Sequence, residues 1–270
     1  MEFFGLIGEK LGHSLSETIH ARVYELLHIP AAYKCMEIER DRLSEIHQAM
    51  TLLSIRGINV TIPYKEAVIP YLDELDPLAR AIGAVNTVKN ESDRLTGYNT
   101  DVYGLMGLIR FHGLSAKGQS AVVLGSGGAA KAAIHALCAL EARDITVVTR
   151  SPQGKTCPDP RVRFAGYDEL PTLQGALLLN ATPVGMWPHC DEAPAAGEDV
   201  ERFASVVDMI YNPWETKLLA MAGKQNKPCA NGLYMLVAQA VRAEEIFFDR
   251  DIPDPITEAI YHELSRELNR

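Results

Sequence analysis

The chain has 270 residues, of which 47% are hydrophobic and 23% charged, a composition typical of a globular protein with material for two medium-sized domains. Its formal net charge of −9 argues against nucleic acid or an anionic membrane surface as the main partner. The five cysteines are scattered without metal-ligand spacing, which favours reduced thiols and no metal site. The first residues do not have the pattern of a signal peptide, and no apolar run approaches the ~20 residues of a membrane span. We therefore expect a cytoplasmic protein.

Short apolar strands alternate with helical patterns over the first hundred residues. The period-2 runs that predict strands are FFGLIG, AYKCMEI, GINVTI and AVNTVK. The segments with helical periodicity are SETIHARVYELLH, RDRLSEIHQAM and KEAVIPYLDEL. This alternation predicts an α/β domain with a largely parallel sheet.

A second α/β series begins after Asp101, where a helical segment and the loop SAKGQS lead to the strand AVVLG. Further strands are predicted at DITVVT, ALLLNA and SVVDMIY, with PQGKTCPDP as an exposed loop. Two helical segments, LYMLVAQAVRAEEIFF and ITEAIYHELSREL, follow. The predicted organisation is one domain of residues 1–101 plus 233–270 and a second of residues 102–232.

A glycine-rich turn joins the strand AVVLG to the next helix. Residues 125–130 are G-S-G-G-A-A, which is the GxGxxG/A fingerprint with Ala130 at its third position. Gly125 permits the tight turn, Gly127 lets the backbone approach a pyrophosphate, and N–H groups at the helix start bind phosphate oxygens. A purely structural turn is the alternative. The strand–turn–helix–strand context favours a Rossmann dinucleotide-binding domain.

The end of the second strand of this domain favours NADP over NAD. NAD-binding domains usually place an Asp or Glu there, about 20 residues beyond the glycines, to hold the ribose 2′-hydroxyl. This chain has Thr149 and Arg150 at that place, whereas Asp144 lies at the start of the strand. A guanidinium pairs well with a 2′-phosphate, although an arginine after a strand is also a common surface residue.

The stretch GINVTIPYK, residues 57–65, places three polar side chains close together. In a strand, Asn59 and Thr61 point to the face opposite the apolar residues. Lys65 falls in the first turn of the helix predicted next, where the partial positive charge of a helix N-terminus makes a lysine unfavourable. An amide, a hydroxyl and an ammonium in one turn would suit a ligand, and an exposed lysine on a solvated helix face is the alternative.

Other polar residues occur at the ends of predicted elements, and each has a purely structural alternative. A serine before a helix is an ordinary N-cap, and Asp101 has the position of a helix cap. The residues in question are Ser14, Ser16, Asn86, Asn99, Asp101, Tyr211 and Gln239.

Taken in order, eight motifs resemble the shikimate dehydrogenase family: SLS, NVTIPYK, GAVNT, NTDVYG, GSGGAA, NATPVGM, DMIYNP and GLYMLVAQA. The resemblance runs from about Gly5 to the helix that contains Gln239. It implies an N-terminal α/β catalytic domain with a mainly parallel sheet, a Rossmann-fold NADP-binding domain, and a C-terminal helix that returns to the first domain. The implied activity is the reversible reduction of 3-dehydroshikimate to shikimate with NADPH, on the pathway to chorismate and aromatic amino acids.

The same resemblance implies roles for individual residues. Lys65 and Asp101 would be the catalytic pair, with Lys65 as the acid/base beside the reacting oxygen. Ser14 and Ser16 would hold the substrate carboxylate. The ring hydroxyls would be held by Asn59, Thr61, Asn86, Asp101 and Gln239, with Tyr211 nearby. The cofactor site would be lined by Gly125, Ser126, Gly127, Gly128, Ala129, Thr149, Arg150, Met209 and Gly232. The implied partner is a small molecule, and the oligomeric state is left open, with a homodimer as one alternative.

Four positions depart from the family pattern: Thr149 replaces a frequent Asn, Glu17 a common Pro, Pro183 changes the usual NATSxGM, and Lys155 lies where the family often has another arginine nearby. A catabolic quinate/shikimate dehydrogenase is the nearest alternative. Such relatives tend to have Thr at the second serine and an acid near the adenosine ribose, and Ser16 and Arg150 argue against both. A non-catalytic NADP-binding regulatory module would have lost Lys65 or Asp101, and both are present.

Overall fold

The computed structural model describes residues 1–12 and 14–269 and divides the chain into two compact units. The first unit comprises Met1–Asp101 and Val237–Leu264. The second comprises Val102–Leu236 and the residues from Ser265 onward. Each unit contains a six-stranded sheet among these described residues.

The sheet of the first unit has the order β2-β1-β3-β5-β6-β4. Its strands are β1 (Glu2–Gly8), β2 (Ala31–Glu37), β3 (Ile55–Val60), β4 (Glu74–Leu75), β5 (Thr87–Glu91) and β6 (Arg94–Tyr98). The β1·β2, β1·β3 and β4·β6 pairs are parallel, whereas β5 runs antiparallel to both of its neighbours. The mainly parallel sheet predicted for this region is therefore confirmed, with an antiparallel hairpin inserted in it.

Four helices belong to the first part of the chain: α1 (Ser16–Leu27), α2 (Ile46–Leu52), α3 (Tyr64–Ala67) and α4 (Pro77–Ile82). One face of the sheet carries the apolar residues of β3, since Ile58 and Val60 pack into a buried cluster with Ile7, Val85 and Val88. Asn59 lies between these two residues on β3 and therefore points to the opposite face.

The helix predicted for KEAVIPYLDEL is wrong beyond Ala67. Only the single turn of α3 forms, and a 3₁₀ turn at Ile69–Tyr71 and the short strand β4 replace the rest. Pro70 has no N–H to donate and its ring obstructs a preceding helical turn, so the helix cannot continue through it. The helix predicted for RDRLSEIHQAM also begins as a 3₁₀ segment, Arg40–Glu45, before α2. Lys65 remains in the first turn of its helix, as predicted.

The second unit has the strand order β12-β11-β10-β7-β8-β9 with every pair parallel. Its strands are β7 (Ser120–Leu124), β8 (Asp144–Val148), β9 (Val162–Ala165), β10 (Gly175–Asn180), β11 (Phe203–Asp208) and β12 (Cys229–Ala230). Numbered within the unit, this is the 3-2-1-4-5-6 order of a Rossmann fold. The predicted fold class is confirmed.

The remaining helices are α5 (Asp101–Phe111), α6 (Gly128–Ala139), α7 (Gly197–Val200), α8 (Lys217–Lys224), α9 (Leu233–Phe248) and α10 (Asp254–Leu268). The unit boundaries fall within three of them, at the start of α5, after Leu236 in α9 and after Leu264 in α10. No helix in the described part of the chain is long and apolar enough to cross a membrane.

Candidate active site

Lys65 and Asp101 form a close ion pair in the first unit. Lys65 is the second residue of α3, and Asp101 is the first residue of α5. The Lys65 Nζ donates to the Asp101 Oδ2 at 2.7 Å, and their side chains are 20% and 3% exposed. Just before α5, Asn99 Oδ1 accepts the backbone N–H of Asp101 at 3.1 Å, whereas the Asp101 carboxylate accepts from Lys65 and Asn86. The Asp101 carboxylate is therefore left to hold the lysine ammonium.

Asn86 connects this pair to helix α9. Its Nδ2 lies 3.0 Å from Asp101 Oδ1, 2.9 Å from Thr100 Oγ1 and 3.1 Å from Gln239 Oε1. Its Oδ1 accepts the Thr100 backbone N–H at 2.7 Å. Asn86 is only 4% exposed. Four of the residues predicted for the site are thus brought into one hydrogen-bonded network.

Asn59 continues the network on β3, because its Nδ2 donates to the backbone carbonyl of Asn86 at 3.2 Å. Thr61 follows one residue after the end of β3 and is half-buried. Ile62, which the alternating pattern assigned to the apolar face, is instead 73% exposed, since the strand has already ended at Val60.

Ser14 and Ser16 lie at the start of α1, with their hydroxyl oxygens 3.1 Å apart. Ser14 Oγ also accepts the Ser16 backbone N–H at 3.2 Å. The N-cap position is Leu15, and among the described residues no side chain caps this helix in the usual way. The serine pair is therefore not explained by ordinary helix capping.

The serine pair lies on the same side of the sheet as Asn59. Burial raises the pKa of the Cys35 thiol, and a hydrogen bond with Ser14 opposes that rise, so Ser14 lies beside Cys35. Cys35 is in register with Leu6 on β1, and Leu6 is in register with Asn59 on β3. Aligned residues of parallel strands share a face, and neighbouring strands lie about 4.8 Å apart. Cys35, beside which Ser14 lies, is therefore two strand positions from Asn59 on the same face of the sheet.

In the second unit, the glycine turn follows β7, the strand at which the strand order reverses. Ligands of open α/β sheets bind outside the carboxyl ends of the strands at this switch point. Gly125 has φ +103°, and an added Cβ would lie 2.9 Å from Thr182 Cγ2 and 3.1 Å from the carbonyl oxygen of Ala181. Only glycine suits that position, where the turn meets the loop that follows β10.

Gly127 leaves open space in front of α6. An added Cβ there would meet no atom of the described residues within 4 Å, and its φ of −82° is an ordinary value. Gly127 is the N-cap of the 12-residue helix α6, where free backbone N–H groups attract anions. The space that a side chain would fill, next to these N–H groups, fits a dinucleotide pyrophosphate.

The other residues predicted to line the cofactor site also follow strand ends of this sheet. Thr149 and Arg150 follow β8, and the Thr149 Oγ1 lies 3.0 Å from Ser126 Oγ in the glycine turn. Met209 follows β11 and Gly232 follows β12. A Cβ at Gly232 would lie 2.1 Å from the Met209 carbonyl oxygen, so glycine is required there. All of these residues lie at the carboxyl ends of the strands, at the same end of the sheet as the glycine turn.

Arg150 is exposed at this end of the sheet. Burial raises the pKa of Tyr167, and the charge of Arg150 opposes that rise, which places the guanidinium near the Tyr167 ring. A guanidinium beside the carboxyl end of the second strand fits recognition of a 2′-phosphate.

Tyr211 lies in the second unit, three residues past the end of β11, whereas the other residues predicted for the substrate belong to the first unit. Within its own unit it belongs to the loop that follows Met209.

A buried carboxylate that was not predicted from the sequence accepts hydrogen bonds at the carboxyl end of this sheet. Asp208 is fully buried at the end of β11 and accepts hydrogen bonds from Asn180 Nδ2 at 3.0 Å and from Thr216 Oγ1 at 2.7 Å. Burial raises the pKa of Asp208 to about 6. Asn180 in turn accepts hydrogen bonds from Thr182 through its Oδ1. Asn180 is the first residue of the motif NATPVGM, and Asp208 is the first residue of DMIYNP. Their place in these motifs was the only sequence signal for either residue.

The fold and these two sites define a class of protein. A glycine-rich turn at the switch point of a doubly wound sheet is suited to a dinucleotide, and a largely buried lysine–carboxylate pair in a distinct unit is suited to moving a proton. These are the features of a nicotinamide-dependent oxidoreductase with its own substrate-binding domain.

Comparisons with known proteins identify the family. Residues 6–88 match the family model described as the shikimate dehydrogenase substrate binding domain. The chain is 41% identical over 269 residues to the shikimate dehydrogenase (NADP(+)) of Clostridium beijerinckii, covering 99% of this chain and 100% of that protein. The crystal structure of shikimate dehydrogenase 1 from Peptoclostridium difficile superposes with a TM-score of 0.94 at 42% identity, covering 99% of both chains. The shikimate dehydrogenase of Thermus thermophilus, in complex with NADP(H) and shikimate, superposes with a TM-score of 0.83 at 30% identity, covering 97% of this chain and 99% of that one.

The chain belongs to the shikimate dehydrogenase family. The family prediction made from the ordered motifs is confirmed.

Proposed function

We propose that the protein is an NADP-dependent shikimate dehydrogenase that reversibly reduces 3-dehydroshikimate to shikimate, in the pathway to chorismate and aromatic amino acids. The observation that carries the proposal is the Lys65–Asp101 pair, held in a polar network within the unit that contains residues 6–88, which match the substrate-binding family model. The relatives named shikimate dehydrogenase (NADP(+)) and the NADP(H) and shikimate complex from T. thermophilus support it. A cytoplasmic location is part of the proposal.

Lys65 is proposed as the acid/base. Bound NADPH supplies a hydride to the ketone carbon of the substrate. The ketone oxygen becomes alkoxide-like as the hydride arrives and needs a proton donor beside it. The Lys65 ammonium gives that proton and recovers it in the reverse direction. Asp101, at 2.7 Å, keeps the ammonium in place, and Asn86 keeps Asp101 in place.

The remaining polar residues are proposed to bind and orient the substrate. Ser14 and Ser16 hold its carboxylate, with two hydroxyls at the start of a helix. The ring hydroxyls are held by Asn59, Thr61, Asn86, Asp101 and Gln239, with Tyr211 as a further substrate residue. In this proposal residues 1–101 plus 233–270 form the substrate-binding and catalytic domain.

Residues 102–232 are proposed as the NADP-binding domain. Gly127, Gly128 and Ala129 present backbone N–H groups to the pyrophosphate at the start of α6. Gly125 and Ser126 shape the turn. Thr149 and Arg150 bind the adenosine side, and Met209 and Gly232 line the site at the ends of β11 and β12.

A direct assay tests the proposal. Purified protein is given shikimate or quinate with NADP or with NAD, and formation of reduced nicotinamide is followed by its absorbance. The shikimate and NADP combination should give the highest kcat/KM. Quinate turned over as well as shikimate would favour the catabolic alternative, and no turnover of either would contradict the proposal. Light scattering of the same sample would show whether the enzyme is a homodimer.

The serine pair should affect substrate affinity more than turnover. We expect Ser14→Ala or Ser16→Ala to raise the KM for shikimate while leaving kcat nearly unchanged, because the carboxylate lies away from the reacting carbon. Interactions made equally in the ground and transition states appear in KM. One charge-assisted hydrogen bond corresponds to roughly 1.5–3 kcal/mol, or about 10- to 100-fold in KM.

Ser115→Ala is the matched control for that experiment. Ser115 Oγ accepts the backbone N–H of Lys117 at 3.2 Å, the same local hydrogen bond that Ser14 makes with Ser16, at an exposed position of the second unit. Its loss should leave KM unchanged. Equal KM values for wild type and both N-terminal serine variants would mean that the pair serves the local backbone only.

Cofactor selectivity should depend on Arg150. An arginine–phosphate pair contributes roughly 1.5–3 kcal/mol, so Arg150→Ala should weaken NADP binding by about tenfold or more while sparing NAD. Calorimetric titration of each cofactor measures this. Arg143→Ala is the control, because Arg143 lies at the opposite end of β8 in an exposed pair with Asp144. Equal weakening of NADP and NAD in Arg150→Ala would exclude a role in reading the 2′-phosphate.

A further inference from the structure

The side-chain amide of Asn59 has a fixed orientation. Its Nδ2 donates to the backbone carbonyl of Asn86 at 3.2 Å and lies 3.1 Å from Thr87 Oγ1. A carbonyl oxygen can only accept, so the nitrogen end of the amide must face Asn86. Both Nδ2 hydrogens are then used within the protein.

The oxygen end of the same amide is held by Tyr33. The Tyr33 hydroxyl lies 2.8 Å from Asn59 Oδ1, and the orientation just derived makes the tyrosine the donor. An amide oxygen accepts two hydrogen bonds. The second position on Asn59 Oδ1 has no partner among the described residues, and the side chain is not fully buried. One acceptor position is therefore open.

Tyr33 is itself held by a buried pair. Its ring stacks on the His20 ring, with centroids 3.8 Å apart and planes 8° from parallel. His20 on α1 is hydrogen-bonded through Nδ1 to Glu244 on α9, and the two residues are 1% and 0% exposed. Burial is the main reason that the pKa of Tyr33 is raised well above its usual value, and the charge of Glu244 is the second. The hydroxyl therefore stays protonated and able to donate.

We propose that Tyr33 is a positioning residue that, together with the Asn86 carbonyl, locks the Asn59 amide and leaves only an acceptor oxygen for the substrate. This rests on the proposed function. A ketone oxygen also only accepts, so Asn59 cannot bind the oxygen that is a ketone in 3-dehydroshikimate. Asn59 therefore recognises a ring hydroxyl that does not react and that is present in both substrate and product. The reacting oxygen is left to Lys65.

Tyr33→Phe is the variant that tests this, because it removes the hydroxyl and keeps the ring on His20. Loss of one neutral hydrogen bond that orients Asn59 should raise the KM for shikimate by about 3- to 10-fold with kcat within about twofold of wild type. If Tyr33 acts through Asn59, adding Tyr33→Phe to Asn59→Ala should produce no further change in KM. Additive effects of the two substitutions would overturn the proposal.

Tyr71→Phe is the control, since Tyr71 packs against the apolar cluster of the same unit, which lies on the face of β3 opposite Asn59. Its KM should equal that of wild type.

Hydrogen exchange gives a readout that does not require turnover. In ¹⁵N-labelled protein, the two Asn59 side-chain amide protons should exchange slowly in wild type and about 3- to 10-fold faster in Tyr33→Phe, because rotation of the amide then breaks one hydrogen bond fewer. Equal exchange in the two proteins would overturn the proposal, whatever the substrate. A wild-type protein without shikimate activity would instead contradict the proposed function, and the exchange comparison would still decide whether Tyr33 locks Asn59.

Discussion

Lys65→Met is expected to lower kcat for shikimate oxidation by about 10²- to 10⁴-fold, the usual contribution of a positioned general acid–base. That factor corresponds to about 3–5 kcal/mol of activation free energy. Methionine keeps most of the length of the lysine stem and removes only the ammonium that Asp101 holds at 2.7 Å. In this direction the substrate hydroxyl loses its proton, which in the variant has to pass to water or to the Asp101 carboxylate instead of to Lys65.

The KM for shikimate and the affinity for NADP should change much less in this variant. The serine pair, Asn59 and Gln239 are untouched, and the nucleotide turn belongs to the other unit. Steady-state kinetics with circular dichroism as a folding check measures both effects. Lys117→Met is the matched control, because Lys117 pairs with Glu141 at the same 2.7 Å but at the surface. A folded Lys65→Met enzyme with most of its kcat would exclude Lys65 as the acid/base.

The nucleotide-binding unit could be predicted closely from the sequence because its signals are local. The strand, the glycine turn and the helix are contiguous, and the backbone conformation of the turn depends on glycines that the sequence shows directly. Strands buried on both faces by helices are continuous apolar runs, so β7, β8, β10 and β11 were found near their observed positions. The edge strand β9 has four residues and was missed.

The hairpin in the first sheet could not be predicted, because its turn has unusual residues. β5 and β6 are joined through Ser92 and Asp93, whose φ angles are 53° and 66°. Two-residue turns with two positive φ angles usually contain Asn-Gly or Asp-Gly, since glycine adopts such values without strain. Ser-Asp is a weak signal for that turn, so the pairing of β5 with β6 had no clear signal in the sequence. Separately, the strand AVNTVK was expected to begin at Ala84, before the observed start of β5 at Thr87.

The polar network of the first unit was predicted as a set of residues but not as a set of contacts. Asn86 and Gln239 are 153 positions apart in the chain, and only the packing of α9 in this unit brings them to 3.1 Å. No periodicity in the sequence encodes such a pairing. For the same reason the contact of Tyr33 with the buried His20–Glu244 pair had no signal in the sequence, since each residue is ordinary in its own element.

The turn at Gly127 leads to the second large expected effect. Gly127→Val should lower NADP affinity by at least about 100-fold, because a side chain would occupy the space that the pyrophosphate must enter. The fold should be retained, since the added Cβ meets no described atom within 4 Å and the φ of −82° suits any residue. Gly125→Val would be a poorer test. Gly125 has φ +103° and close contacts to Thr182 and Ala181, so the turn itself would be strained.

Two measurements separate loss of binding from loss of fold in Gly127→Val. Without cofactor, its Tm should be close to that of wild type. With saturating NADP, the wild-type Tm should rise because the ligand binds only the folded state, whereas the variant should show little shift. Gly223→Val in α8 is the control, because Gly223 also has open space around it among the described residues and lies outside the glycine turn. It should keep the NADP-dependent rise. The same rise in Gly127→Val would mean that the pyrophosphate does not approach this turn, and the assignment of the nucleotide site to it would be wrong.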